Sequence, residues 1–349
     1  MKGWIGAMNK ASPARLGIML ALLAAVLAAG RYGPLHDYVQ AVKNEGSAAI
    51  AFGETGTAEA TDPLLAWIAG AADKRRIAPA DAVVDRVWKA IPGYNGREAD
   101  IQATYARAKA MGIRVGGAED GIPWVYRELP PEVGLSDLPP SPVYRGNPNK
   151  PMVGLMINVA WGDEYLRAML DTLDEERTKA TFFLDGSWLS KNAETAKEIL
   201  RRGHEVSNHA YTHKNMSTLS DARQREEIVR TETLLKDKLG VSNKLFAPPS
   251  GDFDTRTVRI AAGLGLTTVL WTLDTIDWKL PPADGVVAKV AANAKSGTLI
   301  LMHPTPTSKA ALKGMIRAIR AKGLTPGTVS DTLSPRRLDA APAQPAKRG

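Results

Sequence analysis

Two histidines four residues apart, His209 and His213 in the stretch Gly203–His213 (GHEVSNHAYTH), are the residues of this chain best spaced for metal chemistry. On a helical turn, a spacing of four places side chains on one face. Two neutral imidazoles there would share a divalent ion at about 2.0–2.1 Å, the usual Zn–N distance. The chain has only 5 histidines, and His204 sits beside the pair as a third. A bare HxxxH also occurs often by chance, as surface or capping histidines, so its surroundings must decide.

Those surroundings are a run of βα units. Val153–Asn158, Thr181–Asp185, Leu245–Ala247, Thr268–Thr272 and Thr298–His303 read as short buried strands, apolar and bounded by turn residues. Helices are expected over Glu194–Arg202, from Ser220 to Gly240, over Thr255–Ala262 and over Ser308–Lys322. Alternating βα units argue for a parallel sheet or barrel. Asn158, Asp185, the histidine pair, Ser250, Asp274 with Asp277, and His303 all fall at or just after the C-terminal end of an element. In βα barrels that edge carries the site. One such residue alone is ordinarily a loop residue; six positions in step point to a site.

The 349-residue length allows two domains, and 44% apolar content supports a sizeable core. With no cysteine, disulfide scaffolds, thiolate zinc, iron–sulfur clusters, a thiol nucleophile and a lipoprotein anchor are all excluded. The net charge of +8 sits mainly at the ends: residues 1–30 and residues 335–349 carry +3 each, leaving +2 between them. No basic stripe interleaved with aromatics stands out, so nucleic acid is not an expected partner.

Residues 1–30 pair a basic start with the apolar run Leu16–Gly30 and read as an export signal or an uncleaved signal anchor. That implies work outside the cytoplasmic membrane, anchored at its outer face or secreted. Residues 35–128 read as a small α/β accessory region without a recognisable ligand cluster. Its expected elements are a strand at Ala48–Phe52 and helices at Pro63–Ala72, Asp85–Ile91 and Ala99–Met111. Seven prolines between residues 129 and 151 argue for an extended linker over 129–149. The catalytic-type domain is expected over 150–333, and 334–349 as a disordered tail.

With these residues in view, the domain resembles the polysaccharide deacetylase family, or NodB-homology domain. GHEVSNHAYTH is similar to the family's metal motif and makes His209 and His213 its metal-binding histidines. FAPPSG (Phe246–Gly251) resembles an Arg-Pro-Pro-Tyr-Gly-type motif with Ala247 in the arginine's place. WTLDTIDW (Trp271–Trp278) and LMH (Leu301–His303) match two further motifs, with His303 as general acid. The first motif departs: the family's Thr-Phe-Asp-Asp-Gly is MINVAWG here, with Asn158 at the catalytic base and Val159 at the third metal ligand. That variant, and VDRVWKAIPGYNG (Val84–Gly96), resemble a sporulation-associated, deacetylase-like subfamily. The resemblance implies a distorted (β/α) barrel, a divalent metal such as zinc, and cell-wall polysaccharide as the partner.

Physically, asparagine cannot accept the water's proton near neutral pH, and valine has no lone pair to offer a metal. Catalytic zinc ordinarily has three protein ligands, so two histidines are one short. Asp163 is the acid close enough in sequence to substitute, although it also fits the first turn of the next helix. The absent arginine is coherent with the absent base, since a buried guanidinium without its carboxylate is costly. Asp277 remains to orient His303, and the Ser250 backbone N–H remains for an oxyanion. Trp161, Trp278, Pro249, Ser250 and Asp274 are the expected substrate groove; Trp161, Trp188 and Trp278 fit a sugar-stacking wall or ordinary core packing. Two function classes follow: an N-deacetylase of peptidoglycan with weakened catalysis, or a non-catalytic glycan-binding protein on the same barrel. A metal-free carbohydrate-binding module is a weaker third.

Overall fold

All eight residues of Met152–Val159 are buried, so this strand must lie inside a sheet covered on both faces. It does so in the computed structural model, which describes residues 62–338. The signal or anchor, the expected strand at Ala48–Phe52 and residues 339–349 lie outside the described residues.

In chain order the strands are β1 (Val83–Asp85), β2 (Lys89–Ile91), β3 (Gly96–Ala99), β4 (Tyr126–Leu129), β5 (Met152–Val159), β6 (Thr181–Leu184), β7 (Glu205–Asn208), β8 (Leu245–Phe246), β9 (Thr267–Thr268), β10 (Leu273–Asp274), β11 (Leu299–Met302) and β12 (Thr325–Gly327). Strands β5 to β12 form one parallel sheet in the order β10-β11-β5-β6-β7-β8-β9, with β12 also pairing β5. The helices of this part are α3 (Asp163–Glu175), α4 (Gly186–Lys191), α5 (Ala193–Arg201), α6 (Asp221–Leu239), α7 (Thr255–Gly263), α8 (Ala283–Asn293), α9 (Pro306–Ala321) and α10 (Val329–Leu333). The alternating βα reading therefore gives a curled parallel half-barrel. The single strand expected over Thr268–Thr272 is instead split into β9 and β10, with Trp271 between them.

Side-chain parity along the strands decides what each residue can reach. On β5, Val153, Leu155, Ile157 and Val159 join one apolar cluster with residues of α3, α5 and α9. Met156, on the other face, joins a second cluster with Phe183, Leu245, Ala247, Leu299 and Leu301, inside the curl. Asn158 shares the parity of Met156, Asp185 that of Phe183, and His303 that of Leu301. Continuing the pleat thus carries these residues to the inner face at the C-terminal edge, and leaves Val159 outside.

The region before the barrel differs from the sequence expectation in two places. Pro63–Ala72 (α1) and Ile101–Ala110 (α2) are helices as expected, packed through Leu64, Ile68 and Ala108. Asp85–Ile91 is not a helix but the turn and second strand of the β1–β2 hairpin. Asp85 Oδ1 accepts from the backbone N–H groups of Val87 and Trp88, each at 2.7 Å, a local turn that competes with helix formation. The proline-rich segment is extended, but it is built into the barrel. Val143 N–H donates to Thr268 O (2.9 Å) and its carbonyl accepts from Leu270 N–H (2.8 Å), alongside the open edge at β9. Val143 also bridges to Ala90 of β2, and Arg145 pairs with Thr298 beside β11. Residues 334–338, expected to be disordered, return to the accessory region: Asn95 N–H donates to Pro335 O at 2.8 Å. Buried Lys150 donates to Ser334 O (2.8 Å) and fixes the end of α10.

Candidate active site

The C-terminal edge of the sheet opens into a cavity of about 370 Å³ lined by Asn158, Trp161, His213, Ser250, Trp271, Asp274, Trp278, Leu301 and His303. Its acid side is built around Asp277, which is fully buried. Asp277 Oδ1 accepts from Thr275 Oγ1 (3.0 Å) and His303 Nδ1 (3.0 Å). Oδ2 accepts from the His303 backbone N–H (2.9 Å), Thr305 Oγ1 (2.9 Å) and Ser308 Oγ (2.8 Å). Burial alone would raise this carboxyl, but the His303 ring and the surrounding donors hold it below the ordinary aspartate value. An ionised carboxylate can only accept, so His303 Nδ1 carries the proton. Its other ring nitrogen is left for the cavity. The indole of Trp161 stacks on the His303 ring, with centroids 5.8 Å apart and 10° between planes.

The turn that carries Trp161 needs a glycine. Gly162 has φ +86°, and a Cβ there would lie 2.1 Å from Pro304 O. This close approach locks the β5–α3 turn to the loop after His303.

The histidine pair lies across the cavity on a loop after β7, not on a helical turn. Both Ala210 (φ 61°) and His213 (φ 53°) take left-handed backbone conformations. The two rings meet edge to face with centroids 5.1 Å apart. Buried Glu227 on α6 holds this loop, accepting from Tyr211 N–H (3.0 Å), Thr212 N–H (2.7 Å) and Thr212 Oγ1 (2.7 Å). His209 Nδ1 lies 2.8 Å from Ala247 O, so it donates and leaves Nε2 with a free lone pair. Burial, with His213 close by, pushes His209 down to about 3. Burial also lowers His213, against the opposing charge of Asp185. Both rings are therefore neutral near pH 7, the form in which imidazole ligates metal.

Of the three positions that the resemblance aligns with metal ligands, His209 and His213 carry side chains able to ligate and Val159 does not. Val159 is fully buried in the apolar cluster on the other face of β5. Asp163 does not fill the gap: it opens α3, and its Oδ1 accepts from the Trp188 indole N–H. Among the described residues, no group of three His, Asp or Glu side chains could hold a metal ion. His204 lies at the other end of β7, against Phe182.

Of the expected groove, Trp161 (46% exposed) and Trp278 (52% exposed) stand in the mouth with Ser250 and Asp274. Pro249 is buried beneath the turn that presents Ser250, whose φ is 56°. Trp188 is core, 5% exposed. Sequence reasoning gave no role to Trp271, which lines the cavity between β9 and β10, nor to Glu227. Nothing in local sequence marks Glu227, because its partners are 15 and 16 residues away. Asp185 was placed at a strand end without a role. It is buried, Oδ1 caps α4 by accepting from Trp188 N–H (2.9 Å), and Oδ2 has no hydrogen-bond partner. Burial raises its carboxyl, partly offset by Ser187, Trp188 and His213. Asn158 Oδ1 is likewise buried without a partner.

The polysaccharide deacetylase family model matches residues 145–269. An uncharacterized protein of Bacillus subtilis, YlxY, is 40% identical over 303 residues, covering 86% of this chain and 91% of its own. The chain belongs to the polysaccharide deacetylase family. A crystal structure of BA3943 of Bacillus anthracis, described as a CE4 family pseudoenzyme, is 41% identical with a TM-score of 0.74, covering 80% of this chain and 98% of that one. A BA3943 mutant described as having restored enzymatic activity is similar at 40% identity and a TM-score of 0.73, covering 79% of this chain and 100% of that one. A peptidoglycan-N-acetylglucosamine deacetylase of Bacillus cereus is 32% identical over 185 residues, 52% of this chain and 67% of its own.

Proposed function

We propose that this polysaccharide deacetylase-family protein takes N-acetylated cell-wall glycan, of the peptidoglycan type, into the Trp161–Trp278 mouth. On this reading it hydrolyses the acetamide poorly or not at all as it stands. The observation that carries the reading is the Asp277–His303 dyad, complete in its hydrogen bonds and bordering a cavity that Asn158 lines from the adjoining strand.

His303, held by Asp277, is placed to give a proton to a leaving amine. The exposed faces of Trp161 and Trp278 are placed to stack on sugar rings. Asn158 stands where a base would take the proton of an attacking water, and an amide cannot do so. A divalent ion at His209 and His213, zinc being the best match to two imidazoles, would polarise the acetamide carbonyl when bound. With only two protein donors, it would be held more weakly than in a three-ligand centre.

The non-catalytic reading is favoured by Val159, whose place in the apolar core leaves no third ligand. The pseudoenzyme description of BA3943 supports the same reading, and its activity-restored mutant supports a barrel short of groups and not of fold. The basic, apolar residues 1–30 support export to the outer face of the membrane or to the wall, and the MINVAWG motif supports a link to sporulation. Acetate release from N-acetylglucosamine oligomers and peptidoglycan fragments, with binding of the same ligands, tests the proposal. Binding without release supports it. A wild-type rate like that of ordinary deacetylases, lost in His303→Ala, overturns the weakened-catalysis part; no binding at all overturns the whole.

A further inference from the structure

At the other end of β10 and β11 from the mouth lies a second cavity, of about 520 Å³, lined among others by Trp88, Arg145, Lys289, Lys295 and Thr298. Thr298 precedes β11 and His303 follows it, so the two cavities are separated by the four residues of the strand, roughly 13 Å at about 3.3 Å per residue. This lining has three cations and no acid. It draws on three parts of the chain: the accessory hairpin, the proline-rich segment and the barrel.

Arg145 is the unusual member. Its guanidinium donates to Ser296 O (2.9 Å) and, through Nε, to Gly146 O (3.4 Å), and it lies 5.8 Å from the centre of the Trp88 ring. Among the described residues, no carboxylate lies within ion-pair distance of Arg145, Lys289 or Lys295. Asp85 is the acid whose charge reaches Arg145, but its Oδ1 is engaged by the Val87 and Trp88 N–H groups. Burial pulls Arg145 below the ordinary arginine value. A half-buried guanidinium without an anion is unfavourable, and a bound oxyanion would offset that. A lone carboxylate would satisfy one of the three cations. A phosphate monoester, with a charge of about −1.5 to −2 and three acceptor oxygens, carries charge and acceptors enough for more than one of them.

We propose that this cavity binds a phosphate group, either free phosphate or the monoester of a phosphorylated sugar. The site is separate from the deacetylase mouth and does not rest on its function. It also gives the β1–β2 hairpin a purpose, because Trp88 closes the cavity over Arg145.

The test is calorimetric titration of the full chain at low salt with inorganic phosphate, N-acetylglucosamine 6-phosphate and N-acetylmuramic acid. Saturable binding of either phosphate compound, weakened at least tenfold in Lys289→Gln/Lys295→Gln and in Arg145→Gln, supports the proposal. Tighter binding of the sugar phosphate assigns the site to a phosphorylated sugar; equal binding assigns it to the free ion. Arg145→Gln removes contacts that tie the proline-rich segment to the barrel, so the two-lysine variant decides if that protein does not fold. No saturable phosphate binding, binding unchanged in the two-lysine variant, or equal binding of N-acetylmuramic acid through its carboxylate would overturn it.

Discussion

At the ends of β10 and β11 a buried carboxylate receives five hydrogen bonds, while at the end of β5 a buried amide oxygen receives none. The two regions face one cavity, yet they are tied to the fold very differently. Asp277 holds Thr275, Thr305, Ser308 and both N–H groups of His303, so a change there strands several donors at once. Asn158 and Val159 have no such dependants. Val159 is an ordinary core residue, and Asn158 can be altered without unsettling a network. A carboxylate embedded in a hydrogen-bond network is structure as well as chemistry, whereas an isolated side chain is not.

The largest expected effect tests this contrast directly. Asp277→Ala removes the acceptor of every one of those bonds and should lower unfolding free energy by about 3–5 kcal/mol, the range for breaking a buried charged pair. Asn158→Ala should lower it by no more than about 1 kcal/mol, since its Oδ1 has no partner to lose. Urea denaturation of both variants reads the difference; equal losses would erase the distinction between the two sides.

Next in size is restoration of the base. Asn158→Asp should raise acetate release from N-acetylglucosamine oligomers by about 10²–10⁴-fold, the usual worth of general base assistance, and His303→Ala in that background should remove the gain. The first-motif comparison suggests adding Val159→Asp. The structure points the other way, because that carboxylate would enter the apolar cluster of Leu184, Leu166 and Trp188. It should lower stability by several kcal/mol, of the order for an unpaired buried charge. A double variant as stable as Asn158→Asp alone would show that the end of β5 can turn its side chain into the mouth.

Acid reaches the buried histidines and Asp277 in different pH windows. The folded His204 is pushed down to about 4 by burial, with Lys179 nearby, and His209 to about 3. Unfolded histidine titrates near 6.5, so below that pH the unfolded chain takes up protons that the fold refuses. Stability is therefore full above about 6.5 and falls as pH drops towards 4, by about 3 kcal/mol from His204 at 1.36 kcal/mol per pH unit. Asp277 acts with the same sign in a lower window: its depressed value gives stability that is present above the unfolded aspartate value of about 3.9 and is lost only below it. His204→Leu should flatten the limb between pH 6.5 and 4 and leave the more acidic limb in place. An unchanged upper limb would assign it to other groups.

Much of this was legible before any coordinates. The βα alternation and the strand-end positions placed Asn158, His209, Asp274 and His303 at one edge, because in a parallel sheet chain direction fixes which end a residue occupies. In the sequence Val159 reads as a position beside the metal, and only the packing of β5 turns it into the apolar cluster away from Asn158. What stayed hidden depends on contacts distant in sequence. Val143 and Arg145 bind the barrel over 100 residues away, so proline content alone suggested a linker where there is an integral seam. Asp85–Ile91 has helical-looking composition, but an Asx turn takes the backbone N–H groups that a helix needs. The helical reading of His209–His213 failed similarly, since Glu227 holds that loop from another element.

The smallest expected effect concerns the mouth that both sides share. Trp278 is 52% exposed and its ring lies beneath Lys279 Nζ at 4.9 Å, with none of its side chain needed in a core cluster. Trp161, similarly exposed, also stacks on His303 and so is tied to the acid side. Trp278→Ala should therefore leave the melting temperature nearly unchanged and weaken glycan binding by about 3–10-fold, the worth of one aromatic stacking contact at about 0.5–1.5 kcal/mol. Trp161→Ala should weaken binding by a similar factor and, in the Asn158→Asp background, also lower the rate by loosening the His303 ring. Equilibrium titration with an N-acetylglucosamine oligomer, paired with the rate measurement, distinguishes them. If Trp278→Ala alters the rate as much as Trp161→Ala does, stacking on the imidazole is not what positions the acid, and the difference between the two indoles lies in the sugar alone.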